Sequence, residues 1–324
     1  MSSTERPGVS ETTVPDGVHG DTDWVDRVAY PFESRCVALP QGAVHYVDEG
    51  SGAVREEDTD GPTLVFFHGN PTWSFCYRHL IRGLRDEYRC VAMDYLGFGL
   101  SEHPEGFSYR PSAHADVFET FVEELGLTDV VLVVQDWGGP IGLSYAADHP
   151  ENVAGLVVVN TWAWPVDEEW WYRTFSWGAG GPLGRVLCER FNAFVEVVMP
   201  AAYGDRSKLT PAIHEQYRRA LPAGKREGTW VFPRAIVEET PWLEGLWDRI
   251  EGLEDHPALL LWGLEDPAFG AQLPVWETFF RDAETRTFPD AGHYLQEEVG
   301  EDLVEPIRVF VAGPCSRGVD SGGT

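Results

Sequence analysis

Lysine is almost missing from this chain of 324 residues: Lys208 and Lys225 are the only two. The other basic residues are arginine, and Lys plus Arg total 24 against 53 Asp plus Glu, a formal net charge of −29. Nucleic acid is therefore not an expected partner, because phosphate binding needs a cationic face. Cysteine is scarce as well. Cys36, Cys76, Cys90, Cys188 and Cys315 are odd in number and widely spaced, and no CxxC occurs. That argues against a disulfide framework or a thiolate metal centre and fits reduced thiols in a cytoplasm. No apolar run approaches the roughly 20 residues that span a bilayer. No basic start followed by an apolar block marks a secretory signal. The expectation is a cytoplasmic protein with no membrane partner and no metal. Its acidic excess reads as a halophilic adaptation, since at about 1 M salt the Debye length is about 3 Å and self-repulsion is screened.

What is present is enough for a large core: 43% hydrophobic residues, 13 of all residues being Trp. Short apolar, β-branched runs alternate with amphipathic ones. Arg35 to Val47 alternates around Pro40-Gln41-Gly42 and suggests a hairpin. Thr63 to Phe67, Arg89 to Asp94, Asp129 to Gln135 and Val153 to Asn160 are expected as strands. Arg78 to Leu84, Ala113 to Leu125 and Ile141 to His149 are expected as helices. From about Ala163 to Trp242 the alternation stops, and the stretch is helical and rich in aromatics and proline. It returns with strands at Ala258 to Leu261 and Thr285 to Phe288, a helix near Val275 to Phe280, and one long last helix from Leu295 to Val311.

The fold class this predicts is α/β: a mostly parallel central sheet flanked by helices, with an inserted helical cap over the carboxyl ends of the strands. The expected organisation is a disordered tail over 1–25, a core over 26–162 and 243–312, a helical cap over 163–242, and a flexible C-terminal tail over 313–324. The polar Glu56 to Gly61 stretch is expected as a loop.

The richest motif is Val133-Val134-Gln135-Asp136-Trp137-Gly138-Gly139. A buried strand, a sharp turn and a helix make a nucleophile elbow, which lifts one side chain above the edge of a parallel sheet. Here that residue is Asp136. An ionised carboxylate needs no base before it attacks a saturated carbon, so it points to carbon–halogen or epoxide cleavage rather than ester cleavage. Two further polar residues follow strands in the order expected of the α/β-hydrolase fold. Asp266 lies in Gly263-Leu264-Glu265-Asp266-Pro267, and His293 lies in Asp290-Ala291-Gly292-His293. Glu265 is the rival for the acid position.

With His68-Gly69-Asn70-Pro71-Thr72-Trp73-Ser74, the elbow and Gly292-His293 in view, the chain resembles the haloalkane dehalogenases of the α/β-hydrolase superfamily. The resemblance covers about Val37 to Val311, loosely in the cap. It implies that Asp136 displaces halide from a small halogenated alkane and becomes an alkyl ester. His293 then activates the water that hydrolyses it, and Asp266 orients His293. Backbone N–H groups of Asn70 and Trp137 would form the oxyanion hole, each donor contributing roughly 3–4 kcal/mol. The Asn70 amide and the Trp137 indole N–H would hold the halide, which is costly to leave unsolvated in a dry pocket.

Some relatives use a cap tryptophan instead; the matching position here offers Phe194, which has no N–H. Trp170, Trp171 and Trp177 are the other candidate donors. Some relatives place a glutamate where this chain has Asn160, which cannot be an anionic acid. His68 and Asp94 are expected as structural supports of their turns. Pro71 is expected to shape the oxyanion loop, a cis bond being one way.

Two other functions fit parts of this pattern. An epoxide hydrolase shares the nucleophile and base but needs acidic hydroxyls, for which Tyr172, Tyr203 and Tyr217 are available. A non-catalytic binding protein on the same fold is the other. Substrate length and oligomeric state are not written in the sequence.

Overall fold

The computed structural model describes residues 22–50 and 61–315. Eight strands form one sheet: β1 (Arg35–Leu39), β2 (Gly42–Glu49), β3 (Thr63–Phe67), β4 (Cys90–Met93), β5 (Val130–Gln135), β6 (Val153–Val159), β7 (Ala258–Gly263) and β8 (Glu284–Phe288). Their spatial order is β1-β2-β4-β3-β5-β6-β7-β8. The β1–β2 and β2–β4 pairs are antiparallel and the rest parallel. Strands β3 to β5 and β7 are buried along their whole length. A parallel strand covered on both faces must be apolar throughout, which is why β5 reads Val-Val-Leu-Val-Val. At the open edge β8 reads Glu-Thr-Arg-Thr-Phe and is mostly exposed; its charges discourage pairing with another chain.

Three helices flank the first half of the sheet: α1 (Arg78–Leu84), α2 (Pro111–Leu125) and α3 (Gly138–Asp148). In α2 the spacing of Val117, Phe118, Phe121 and Val122 buries one face. The helix ends on Gly126 in the left-handed region (φ 59°), the usual stop that satisfies the last carbonyls.

Between β6 and β7 lie six helices and no strand: α4 (Trp170–Gly180), α5 (Pro182–Phe191), α6 (Met199–Ala202), α7 (Pro211–Ala220), α8 (Glu227–Glu238) and α9 (Thr240–Ile250). A π-helical turn, Phe194–Val198, leads into α6. After β7 come α10 (Leu273–Phe279), α11 (Leu295–Glu298) and α12 (Val304–Ala312).

The single last helix expected over Leu295 to Val311 is thus two. The break holds Gly300, where a Cβ would lie 2.3 Å from the Gln296 carbonyl oxygen and 2.9 Å from His79 of α1. Residues at the inner ends of both expected tails pack on the core. Val25 is buried and the Trp24 ring packs on Trp73. Cys315 is buried against the position of Gly155 in β6. The rest of the expected tails, and the 56–61 loop apart from Gly61, lie outside the described residues. The five cysteines form no disulfide with one another. Among the described residues, no helix is long and apolar enough to cross a membrane.

The helical insertion is tied to the core at several points. The Glu298 carboxylate accepts backbone N–H groups of Gly204, Asp205 and Gly292 at 3.2, 2.7 and 2.9 Å. Burial pushes its carboxyl up. Glu297 forms a buried bidentate pair with Arg78 of α1, with the longer of the two bonds 2.7 Å, and also accepts the Tyr217 hydroxyl of α7. Near the N-terminus, Asp26 N–H donates to Gln216 of α7 at 3.0 Å, and Gln216 donates back to the Trp24 carbonyl at 3.2 Å.

Candidate active site

Asp136 sits one residue beyond β5 with φ 52°, an unusual conformation for a residue other than glycine. Neighbouring contacts hold it there. Its backbone carbonyl accepts the Thr161 hydroxyl at 2.5 Å and the Gly139 N–H at 3.0 Å. A Cβ at Gly69 would lie 2.3 Å from the Asp136 Cβ, and one at Gly138 would lie 2.5 Å from the Phe67 carbonyl oxygen. The glycines of both motifs therefore let the Gly69-Asn70 loop and helix α3 close around the carboxylate. One side-chain oxygen, Oδ1, accepts the Asn70 backbone N–H at 2.7 Å. The other, Oδ2, lies 3.5 Å from His293 Nε2.

His293 is set by both sides of the molecule. Its Nδ1 meets Asp266 Oδ2 at 3.0 Å, and its backbone N–H donates to Ala202 O of α6 at 2.9 Å. Burial is the largest influence on the imidazole and lowers its pKa. The Asp266 charge, the hydrogen bonds to Asp136 and Asp266, and the Asp136 charge together outweigh it and raise the group from 6.5 to about 10. Gln135, the last residue of β5, donates from Nε2 to the His293 carbonyl at 3.0 Å and stands 3.1 Å from the ring Nε2.

The structure separates the two acid candidates. Asp266 is buried beside His293 and Glu265 is exposed. Asn160 supports Asp266: its Nδ2 donates to Asp266 Oδ2 at 2.9 Å and to Gly263 O at 3.0 Å, while its Oδ1 accepts Gly263 N–H at 2.8 Å. Ala268 N–H donates to the second Asp266 oxygen at 2.7 Å.

His68 and Asp94 hold turns, as expected. His68 Nε2 accepts the Tyr95 N–H at 3.0 Å, and burial lowers its pKa. Asp94 accepts N–H groups of Ser74 and Leu100 and meets His45. The Asn70–Pro71 bond is cis.

These side chains border a cavity of about 340 Å³. Asn70, Asp136, Trp137 and His293 line it from the core, and Phe175, Phe194, Val198 and Pro233 line it from the insertion. Trp171 borders it and is half exposed, whereas Trp170 and Trp177 are exposed and do not border it. Trp162, fully buried, was missed from the sequence. It packs edge-on against Trp137 with ring centroids 4.6 Å apart and stacks on Phe269 at 4.4 Å. Among the described residues, no group of three or more His, Cys, Asp or Glu side chains is placed to hold a metal ion.

An elbow at the carboxyl end of a central parallel strand, with an acid and a histidine on the loops after β7 and β8, defines an α/β hydrolase. A model of the alpha/beta hydrolase fold matches residues 62–299. Within that class the chain is 40% identical over 286 residues to haloalkane dehalogenase 2 of Mycobacterium tuberculosis, covering 87% of this chain and 96% of that protein. It is 30% identical over 309 residues to a cis-3-alkyl-4-alkyloxetan-2-one decarboxylase of Xanthomonas campestris, covering 87% and 97%. The crystal structure of haloalkane dehalogenase DatA from Agrobacterium tumefaciens superimposes with a TM-score of 0.74 at 25% identity, covering 87% of this chain and 97% of that one. The chain belongs to the haloalkane dehalogenase family.

Proposed function

We propose that this chain hydrolyses small haloalkanes to an alcohol and a halide through a covalent alkyl ester of Asp136. The observation that carries the reading is the Asp136 carboxylate beside the apolar cavity, one oxygen on the Asn70 N–H and the other facing His293. In the first step Oδ2 forms a bond to the halogen-bearing carbon and the carbon–halogen bond breaks. The halide leaves with the electron pair and is held by the Asn70 amide and the Trp137 indole N–H.

In the second step a water oxygen adds to the carboxyl carbon of the ester and His293 Nε2 takes its proton. The oxyanion forms on the oxygen that already accepts the Asn70 N–H, and the Trp137 N–H is its expected second donor. Collapse expels the alcohol and restores the carboxylate. Asp266 steadies the imidazolium from the Nδ1 side. The insertion serves as a cap that keeps the cavity dry, and no cofactor or metal enters either step.

Charge explains the order of events. In the resting site both carboxylates hold His293 as the cation. Esterification removes the charge of Asp136 and its hydrogen bond. The imidazole can then release its proton and present a lone pair when a base is needed.

The epoxide alternative finds less support. The Tyr172 hydroxyl donates to the Ala268 carbonyl at 2.6 Å, Tyr217 donates to Glu297, and Tyr203 and Tyr217 do not border the cavity. Similarity to the oxetanone decarboxylase favours a second reading, in which a four-membered lactone loses carbon dioxide to leave an alkene. Incubation with 1,2-dibromoethane separates these. We expect free bromide from the wild-type protein and none from Asp136→Ala. Diol from styrene oxide, or alkene from a 3,4-dialkyl-oxetan-2-one, without any bromide release would overturn the dehalogenase reading.

A further inference from the structure

Helix α8 carries a proline in its interior, Pro233. Proline has no backbone N–H, so the carbonyl four residues earlier lacks its helical donor. That carbonyl belongs to Thr229, which is fully buried. It accepts Asn70 Nδ2 at 3.3 Å, across 159 residues of sequence. A backbone carbonyl can only accept, so the atom of Asn70 that faces it must be the amide nitrogen and not the amide oxygen. Asn70 Oδ1 is buried and has no partner of its own, so no other hydrogen bond fixes which way the amide turns. Asn70 and Pro233 both border the cavity that contains Asp136 and Trp137.

We infer that Pro233 and the Thr229 carbonyl are positioning elements of the halide site: the missing helical donor leaves that carbonyl to hold the Asn70 amide with its N–H₂, rather than its oxygen, presented to the leaving halide. The inference rests on the reading of Asn70 as a halide donor. The amide nitrogen has two hydrogens, so one can stay on Thr229 while the other meets the anion. An amide turned the other way would set its oxygen against both the carbonyl and the halide, two repulsive contacts. The cap thus contributes to halide binding through an acceptor that orients a donor in the core, without supplying an N–H of its own.

Pro233→Ala tests this, because it restores an N–H that competes for the Thr229 carbonyl. A proline inside a helix is unfavourable compared with alanine, so a purely structural role predicts a thermal midpoint at or above wild type and unchanged halide binding. We expect the midpoint to hold or rise while the bromide dissociation constant, read from tryptophan fluorescence, weakens about fivefold, as for one ordinary neutral hydrogen bond. The same substitution in an Asn70→Ala background should change bromide binding little, since the effect passes through Asn70. Pro233→Ala with wild-type bromide affinity, or an equal loss in the Asn70→Ala background, would overturn the inference. If Asn70→Ala alone leaves bromide affinity unchanged, the underlying reading of Asn70 fails instead.

Discussion

His293 lies between two carboxylates, and its titration follows from them. Its folded-state pKa of about 10 exceeds the ordinary 6.5. The stabilisation this gives is fully present below about pH 6.5 and is lost as pH rises through about 10. The imidazole of the resting protein should therefore remain protonated at pH 8 by NMR. In Asp136→Ala it should titrate at lower pH, because a hydrogen bond and a charge are gone. An unchanged midpoint would show that the two groups are not coupled. The residues proposed to do chemistry could be named from the sequence because each stands in a short local motif at a strand end: Asn70, Asp136, Trp137, Asp266 and His293. Their supports were not. Asn160 reaches Asp266 across 106 residues, Gln135 reaches His293 across 158, and Asn70 reaches Thr229 across 159. Nothing local in the sequence marks such pairs. Trp162 is hidden for another reason, since 13 tryptophans make any one of them look like packing.

Among the elements, the alternating half of the chain was the more readable. Strands β3 to β7 announce themselves because burial on both faces demands a nearly continuous apolar run. Helix α2 does so through its one-sided pattern, closed by Gly126. The helical insertion was recognisable as helical but not as a particular arrangement. Its contacts run to distant core positions, such as Tyr217 on Glu297 and Tyr172 on the Ala268 carbonyl. The split between α11 and α12 was also missed. The apolar pattern continues across Gly300, and the reason for the break is close packing on α1 and α11. The glycines around Asp136 are a contrasting case. Their motif was visible, and the structure adds why it tolerates no side chain: Gly69 faces the Asp136 Cβ and Gly138 faces the Phe67 carbonyl.

For the whole molecule the dominant fact is charge. Acidic groups exceed basic ones by 29, from 53 against 24. Arginines do form surface pairs, such as Arg218 with Glu196 and Arg185 with Glu189. Each exposed pair contributes only about 0–1 kcal/mol and weakens with salt. The acidic excess repels itself, and salt relieves that repulsion as the Debye length falls from about 8 Å at 0.15 M to about 3 Å at 1 M. We propose that the second effect wins, so that the thermal midpoint rises from dilute buffer to molar KCl; a fall or no change would contradict this.

The covalent ester on Asp136 is the central claim, and trapping it tests the account most directly. Without its base, His293→Phe should form the ester and fail to hydrolyse it. After incubation with 1-bromohexane, intact-protein mass spectrometry should show one added hexyl group, mapped by peptide analysis to Asp136, with one bromide released per protein. Bromide turnover by the wild-type protein, with no adduct on Asp136 in the variant, would contradict the account.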